Sequence, residues 1–245
     1  MRPLPALAAL AAAVVALGGC GTATTSDIKV NDNSTFLPNV RAAVTFAGDP
    51  APGPRVHGSH AVEASFSGGS GSGTQNVDAG ALPVVFGGQR FTGPQELRYE
   101  FGVRYTQIAY RYRLLFGRSN LGMEVQAGAG YASLQLRVRG RTQVAAEHLS
   151  NAGFAASLGG LWYMRPSTSL QVRYGGFASG DSDGVSSLGR LEAYLVQGLG
   201  RHAAVRAGWN WWQLRSTRDD DSFAADKSPI ILRISGPALG LEVLF

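Results

Sequence analysis

The segment His148-Leu149-Ser150-Asn151 holds the residue types of an acyl-transfer site. On an extended segment, side chains two apart share a face, so His148 and Ser150 would project together. A histidine beside a serine hydroxyl can take its proton and make the oxygen a nucleophile. Asn151 would help to position or stabilise the reacting group. A second cluster, His57-Gly58-Ser59-His60 with Glu63, splits across a strand: His57 and Ser59 share one face and His60 takes the other. Cysteine and carboxylate partners at ligand spacing are missing there, so the sequence assigns neither a metal nor a cofactor. The single cysteine of the 245 residues, Cys20, excludes an intramolecular disulfide.

The elements that must position these residues read as strands. Apolar residues make up 44% and charged residues 16%, with 33 glycines, a balance too uncharged for a disordered chain. Beyond the N-terminus no apolar run is long enough for a spanning helix. Eight segments alternate: about 56–67, 97–116, 121–139, 150–164, 169–177, 188–197, 203–212 and 230–245. In the second, Leu97, Tyr99, Phe101, Val103 and Tyr105 face outward, and then the apolar parity changes to Ile108, Tyr110, Tyr112, Leu114 and Phe116. The third changes likewise between Tyr131 and Leu134. A parity change within a long strand predicts a bulge. Pro237 in the last segment predicts a bulge or an edge-like break.

Short connections (117–120, 165–168, 198–202) alternate with long ones (68–96, 140–149, 178–187, 216–229). That is the pattern of short periplasmic turns and long external loops, and it predicts both barrel termini at the turn side. The run Gly68-Gly69-Ser70-Gly71-Ser72-Gly73 lacks the ending of a phosphate loop and reads as the start of a flexible loop. Phe116, Trp162, Tyr163 and Phe245 beside the turns, and Trp209, Trp211 and Trp212 beside a loop, predict two aromatic girdles. The faces opposite the apolar ones carry Glu63, Arg98, Glu100, Arg104, Arg111, Arg113, Glu124, Gln126, Gln171, Arg173, Arg206 and Glu242. Enclosed in a narrow barrel, these charges would pair into a polar plug.

The N-terminus reads as targeting. Arg2 precedes the apolar run Leu4–Leu17, which is of signal-peptide length. Leu17-Gly18-Gly19-Cys20 resembles the bacterial lipobox, which implies a lipoprotein-type signal peptide over 1–19 and lipidation of Cys20. Residues 20–54, with Pro38, Pro50, Pro52 and Pro54, then read mostly as a tether, in which Arg41 to Phe46 could form a short strand, and 55–245 as the barrel. The formal charge is +5, but the arginines are dispersed along alternating strands. No nucleic-acid partner is expected; anionic lipid headgroups fit better.

The final segment Leu239-Gly240-Leu241-Glu242-Val243-Leu244-Phe245 alternates and stops on an aromatic. It resembles the C-terminal assembly signal of bacterial outer-membrane barrels, with Phe245 as the terminal residue. The resemblance implies an outer-membrane location, recognition by the barrel assembly machinery, and outer-membrane lipids and lipopolysaccharide as partners. The expected fold is all-β, an eight-stranded antiparallel transmembrane β-barrel, monomeric, with a structural or surface-interaction role and no enzymatic activity.

Two alternatives remain open. His148-Leu149-Ser150-Asn151-Ala152-Gly153 resembles the His-aromatic-Ser-Asn-Ala motif of the outer-membrane lipid A deacylases. That resemblance implies a lipid A acyl-ester hydrolase using Ser150 as nucleophile and His148 as base. Leu149 stands where that family has its aromatic, and no Asp or Glu occurs from Phe154 to Gly180 to orient the base. A soluble, lipid-tethered, lipocalin-like ligand-binding barrel would use the same periodicity with the faces reversed. Acidic stretches at Asp181-Ser182-Asp183 and Asp219-Asp220-Asp221 with Asp226 read as solvated loops. Arg137, Arg139, Arg141, Arg215 and Arg218 lie where lipid phosphates would be met.

Overall fold

A computed structural model describes residues 27–32, 35–48, 57–180, 184–200, 202–216 and 229–245. The structure is all-β. Its strands are β1 (Ile28–Asp32), β2 (Asn39–Gly48), β3 (His57–Val77), β4 (Val84–Phe86), β5 (Gln89–Phe91), β6 (Gln95–Leu115), β7 (Leu121–Arg139), β8 (Val144–Arg165), β9 (Thr168–Ala178), β10 (Ser187–Gly198), β11 (Ala203–Ser216) and β12 (Ile230–Leu244). One sheet runs β1-β12-β11-β10-β9-β8-β7-β6-β3-β2, and β2 also pairs with β12, so nine strands form a closed ring.

The expected eight antiparallel strands are therefore corrected to a nine-strand ring with one parallel closure. The eight segments read from the sequence form β3 and β6 to β12. The additional strand comes from residues 28–48, expected to be part of a tether. β1 pairs β12 in parallel from Ile28↔Ile230, and β2 resumes from Asn39↔Gly240. The parallel seam follows from parity: when neighbours alternate in direction, an odd number of ring strands leaves the first and last pointing the same way. Pro237 falls in the stretch of β12 between these two pairings, where its missing N–H removes no ladder bond. Its carbonyl still accepts a hydrogen bond from Leu37 N (3.0 Å).

The same finding moves the N-terminus. Because β1 runs parallel to β12, Ile28 lies beside Ile230 at the end that bears the loops, while Phe245 lies at the end that bears the turns. The two ends of the ring wall are thus on opposite sides, not both at the turn side.

The expected bulges in the second and third segments are absent. β6 pairs β3 and β7 without a register shift, and one face of each strand stays inside from end to end. What changes along the strand is its surroundings. In the turn half of β6 the inner face carries Gln107, Arg111 and Arg113 and the outer face Ile108 and Tyr110. In the loop half the inner face carries Leu97, Tyr99, Phe101 and Val103 and the outer face Arg98, Glu100 and Arg104. β7 repeats the inversion, from inner Glu124 and Gln126 to inner Leu134, Leu136 and Val138. Register shifts occur instead between Thr45 and Ala47 and between Tyr163 and Arg165.

The glycine run expected to begin a loop is wall. β3 continues to Val77, and Gly69, Gly71 and Gly73 all face the N-terminal strand. A Cβ on Gly69 would stand 2.7 Å from Leu37 Cδ2, and one on Gly71 2.7 Å from the Phe101 ring. The Gln75 side chain completes the seam: its amide donates to Asp27 O (3.0 Å) and its oxygen accepts from Lys29 N (2.9 Å).

A hairpin of β4 and β5 closes the loop end. Its two-residue turn uses Gly87 and Gly88, both at positive φ (57° and 72°), as a type I′ turn requires. Val84, Phe86 and Phe91 enter the apolar core with Leu97, Leu136 and Val138. Gly87 N donates to Glu147 Oε1 (2.9 Å), which ties the hairpin to β8.

Candidate functional site

The outer face of the turn half is an uninterrupted apolar girdle. Following the registers around the ring, Val40 is beside Leu241, Val44 beside Val62, and Tyr112 beside Val125. Leu158 is beside Tyr174, Leu191 beside Trp211, and Ala207 beside Leu239, which returns to the seam. Many large side chains of the girdle are exposed: Phe154 is 62% and Tyr174 68% accessible. Phe154 and Met164 are ten residues apart on β8, about 33 Å of strand and about 23 Å along the ring axis at a 45° tilt. An outward apolar band of about 25 Å is what a bilayer core demands.

Aromatics mark its edges. On the turn side, Phe116, Trp162 and Phe245 are exposed, and His60 bonds the Tyr110 hydroxyl and lies 4.9 Å from the Tyr112 ring. Phe245 is held at both ends of its backbone by β2: its N–H donates to Ala43 O and its carbonyl accepts from Thr45 N, each at 2.9 Å. On the loop side Trp209 and Trp211 face outward, whereas Trp212, expected with them, turns inward and packs edge-on to Tyr105 at 6.4 Å.

Inside the girdle sits a paired charge cluster. Arg41, Arg111, Arg113, Arg173, Arg190 and Arg206 share the interior with Glu63, Glu124, Glu192 and Glu242, all buried. Glu63 meets Arg111 at 2.8 Å, Arg173 at 3.2 Å and Arg41 at 3.7 Å. Glu124 takes Arg113 at 2.8 Å and also pairs with Arg173, and Arg41 pairs with Glu192. The void bounded by Glu124, Arg173, Glu192 and Arg206 is about 10 Å³, room for about one water. This interior is a plug of side chains. Arg98, Glu100 and Arg104, expected inside, are outside on the loop half; Arg41, Arg190 and Glu192 join the cluster unforeseen, although their alternation with Val40 and Leu191 carried the signal.

A layer of aromatics separates the charges from the apolar core above. The Arg190 guanidinium lies 4.7 Å from the Tyr105 ring centre and that of Arg206 4.2 Å from Tyr194, whose hydroxyl accepts from Asn210 Nδ2 (2.7 Å). Stacked this way, a desolvated guanidinium keeps an electrostatic partner on its open face.

His148 and Ser150 share the outer face of β8, above the girdle on the loop side. Same-face neighbours on one strand are about 7 Å apart, so the two do not form a hydrogen-bonded pair through the backbone geometry alone. Asn151 points the other way and donates to Val185 O (3.3 Å). Glu147 is also turned inward, engaged with the hairpin. The row beside His148 is Gln135 on β7 and Gly102 on β6, and the row beside Ser150 is Ser133 and Arg104. No carboxylate stands next to His148 in its row. In the other histidine cluster Ser59 and Glu63 face inward and His60 outward. Among the described residues no three His, Cys, Asp or Glu side chains converge to hold a metal. Cys20, Arg218 and the acidic stretches at 181–183, 219–221 and Asp226 lie outside the described residues.

No known protein family, curated protein or solved structure matches this chain.

Proposed function

We propose that the ring spans the bacterial outer membrane through its turn half and presents its loop half as a rigid, closed, surface-interaction platform without enzymatic activity. The observation that carries this reading is the inversion along single strands. In the turn half apolar residues face out around the whole ring and arginines and glutamates are sealed inside. In the loop half the polarity is that of a water-soluble protein, with charges outside and an apolar core within. A wall wholly in water would gain nothing by exposing Phe154, Leu158 and Tyr174 while burying Arg111 and Arg173. A lipocalin-like ligand barrel needs an open apolar interior, whereas the apolar half here is filled and closed by the β4–β5 hairpin.

The lipid anchor belongs to the same proposal. Six residues separate Cys20 from Asp27, and the seven Cα steps between them reach at most about 25 Å. With β1 starting at the loop end, acyl chains on Cys20 would enter the leaflet on the loop side. Envelope fractionation with a gel run before and after boiling tests the core of the reading. Enrichment in the outer membrane and a heat-dependent band shift are expected; release into the aqueous fraction would refute it.

A further inference from the structure

Outside the ring, at the loop-side edge of the girdle, a groove of about 560 Å³ crosses β9 to β12. Its lower wall is apolar: Tyr174, Leu191 and Trp211 are consecutive register partners on the outer face. Its floor is bare, because Gly189 and Gly176 are cross-strand partners and neither has a side chain to fill the space. Its upper wall is cationic. Arg233 and Arg215 are both exposed on adjacent antiparallel strands, with Arg215 opposite Ile231, two residues from Arg233. Such diagonal neighbours have Cβ atoms within about 8 Å, so two guanidinium groups can converge on one anion. Two exposed arginines on the opposite wall of the loop half do have local carboxylates: Arg98 meets Glu96 at 3.3 Å and Arg137 meets Glu100 at 3.9 Å. Among the described residues Arg215 and Arg233 have no such ion pair.

We propose that this groove is a binding site for a phosphorylated lipid of the loop-side leaflet, with the phosphate between Arg215 and Arg233 and an acyl chain over Tyr174, Leu191 and Trp211. The inference rests on the membrane-spanning reading above, because it places Trp211 at the acyl level and the arginines at the headgroup level. Charge complementarity and the step from aromatic to cationic walls select this occupant: guanidinium forks match phosphate oxygens bidentately, and the aromatic shelf matches the chain.

Lipid A is the probe, added to the full chain purified in detergent micelles, with retained lipid counted by mass spectrometry of the intact complex. The wild type should hold lipid A. The double variant R215Q/R233Q should hold about tenfold less or lower still, since charge-assisted hydrogen bonds are lost. R98Q/R137Q, which removes two arginines already paired on the opposite wall, should behave as wild type. Equal retention by R215Q/R233Q, or equal retention of chemically dephosphorylated lipid A by the wild type, would overturn the site. Outer-membrane enrichment and the heat-dependent band shift are read on the same R215Q/R233Q sample and should be unchanged. Their loss in the wild type itself refutes the membrane reading, a failure distinct from loss of lipid at the groove.

Discussion

Glu63 is the residue on which the interior most depends. It faces three buried arginines: Arg41 and Arg173 also pair with Glu192 and Glu124, whereas Arg111 has its shortest carboxylate contact, 2.8 Å, with Glu63. Removing one partner from a buried charge set leaves the others uncompensated, at a cost of about 3–5 kcal/mol. Glu63→Gln should therefore lower the stability of the micelle-embedded ring by that amount in urea titration; a change below about 1 kcal/mol would mean that water, not Glu63, balances the cluster. Ser150 is the contrasting case. It lies on the outer face, with Asn151 turned away and Glu147 engaged elsewhere. Ser150→Ala should leave the acyl-chain composition of cellular lipid A as it is in cells carrying the wild-type chain. A composition that depends on Ser150 would restore the hydrolase alternative.

At the scale of elements, the parallel N-terminal strand distinguishes this ring from eight strands closing on themselves. Val40 and Leu241 are register partners across that seam, and Cys20 is the sole native cysteine. In a C20S background, V40C/L241C should cross-link under mild oxidation, whereas V40C paired with a cysteine at Trp209 should not. A seam formed directly between β3 and β12 would give no V40C/L241C product. Gly69→Leu tests the same contact from the other side, because its side chain would collide with Leu37 and Thr35. The alternation of Asn39 and Arg41 with Val40, Val44 and Phe46 was legible as a strand pattern. Its interruption near Pro38 and its shortness hid its place in the ring, since a split strand gains stability only from partners that the sequence does not name.

For the whole molecule, the girdle makes a depth-dependent prediction. Leu158 lies in the middle of the outward apolar band of β8, and Gln135 faces outward on the loop half of β7. Leu158→Arg should cost about 2–4 kcal/mol in a bilayer, and Gln135→Arg about zero, because only the first places a charge in hydrocarbon. Equal, small costs at both positions would mean that no bilayer surrounds the ring. The measurement is reversible urea unfolding in vesicles.

Taken alone, the sequence determined the all-β character, the eight long strands, the terminal Phe245 strand and the presence of paired charges, because each is written in local alternation. It also held the inversion of β6 and β7, but in ambiguous form. A change of apolar parity at Tyr105–Ile108 arises equally from a bulge in uniform surroundings or from a regular strand passing between two kinds of surroundings. Periodicity records only which residues alternate, and the unbroken registers with β3 and β7 decide for the second. The same limit applies to Arg98, Glu100 and Arg104, whose face is set by closure of the ring and not by their neighbours in the chain. The ninth strand, its parallel direction and the end at which the wall begins were decided by tertiary structure, since they depend on β12 and the glycine face of β3, about 200 and about 40 residues away.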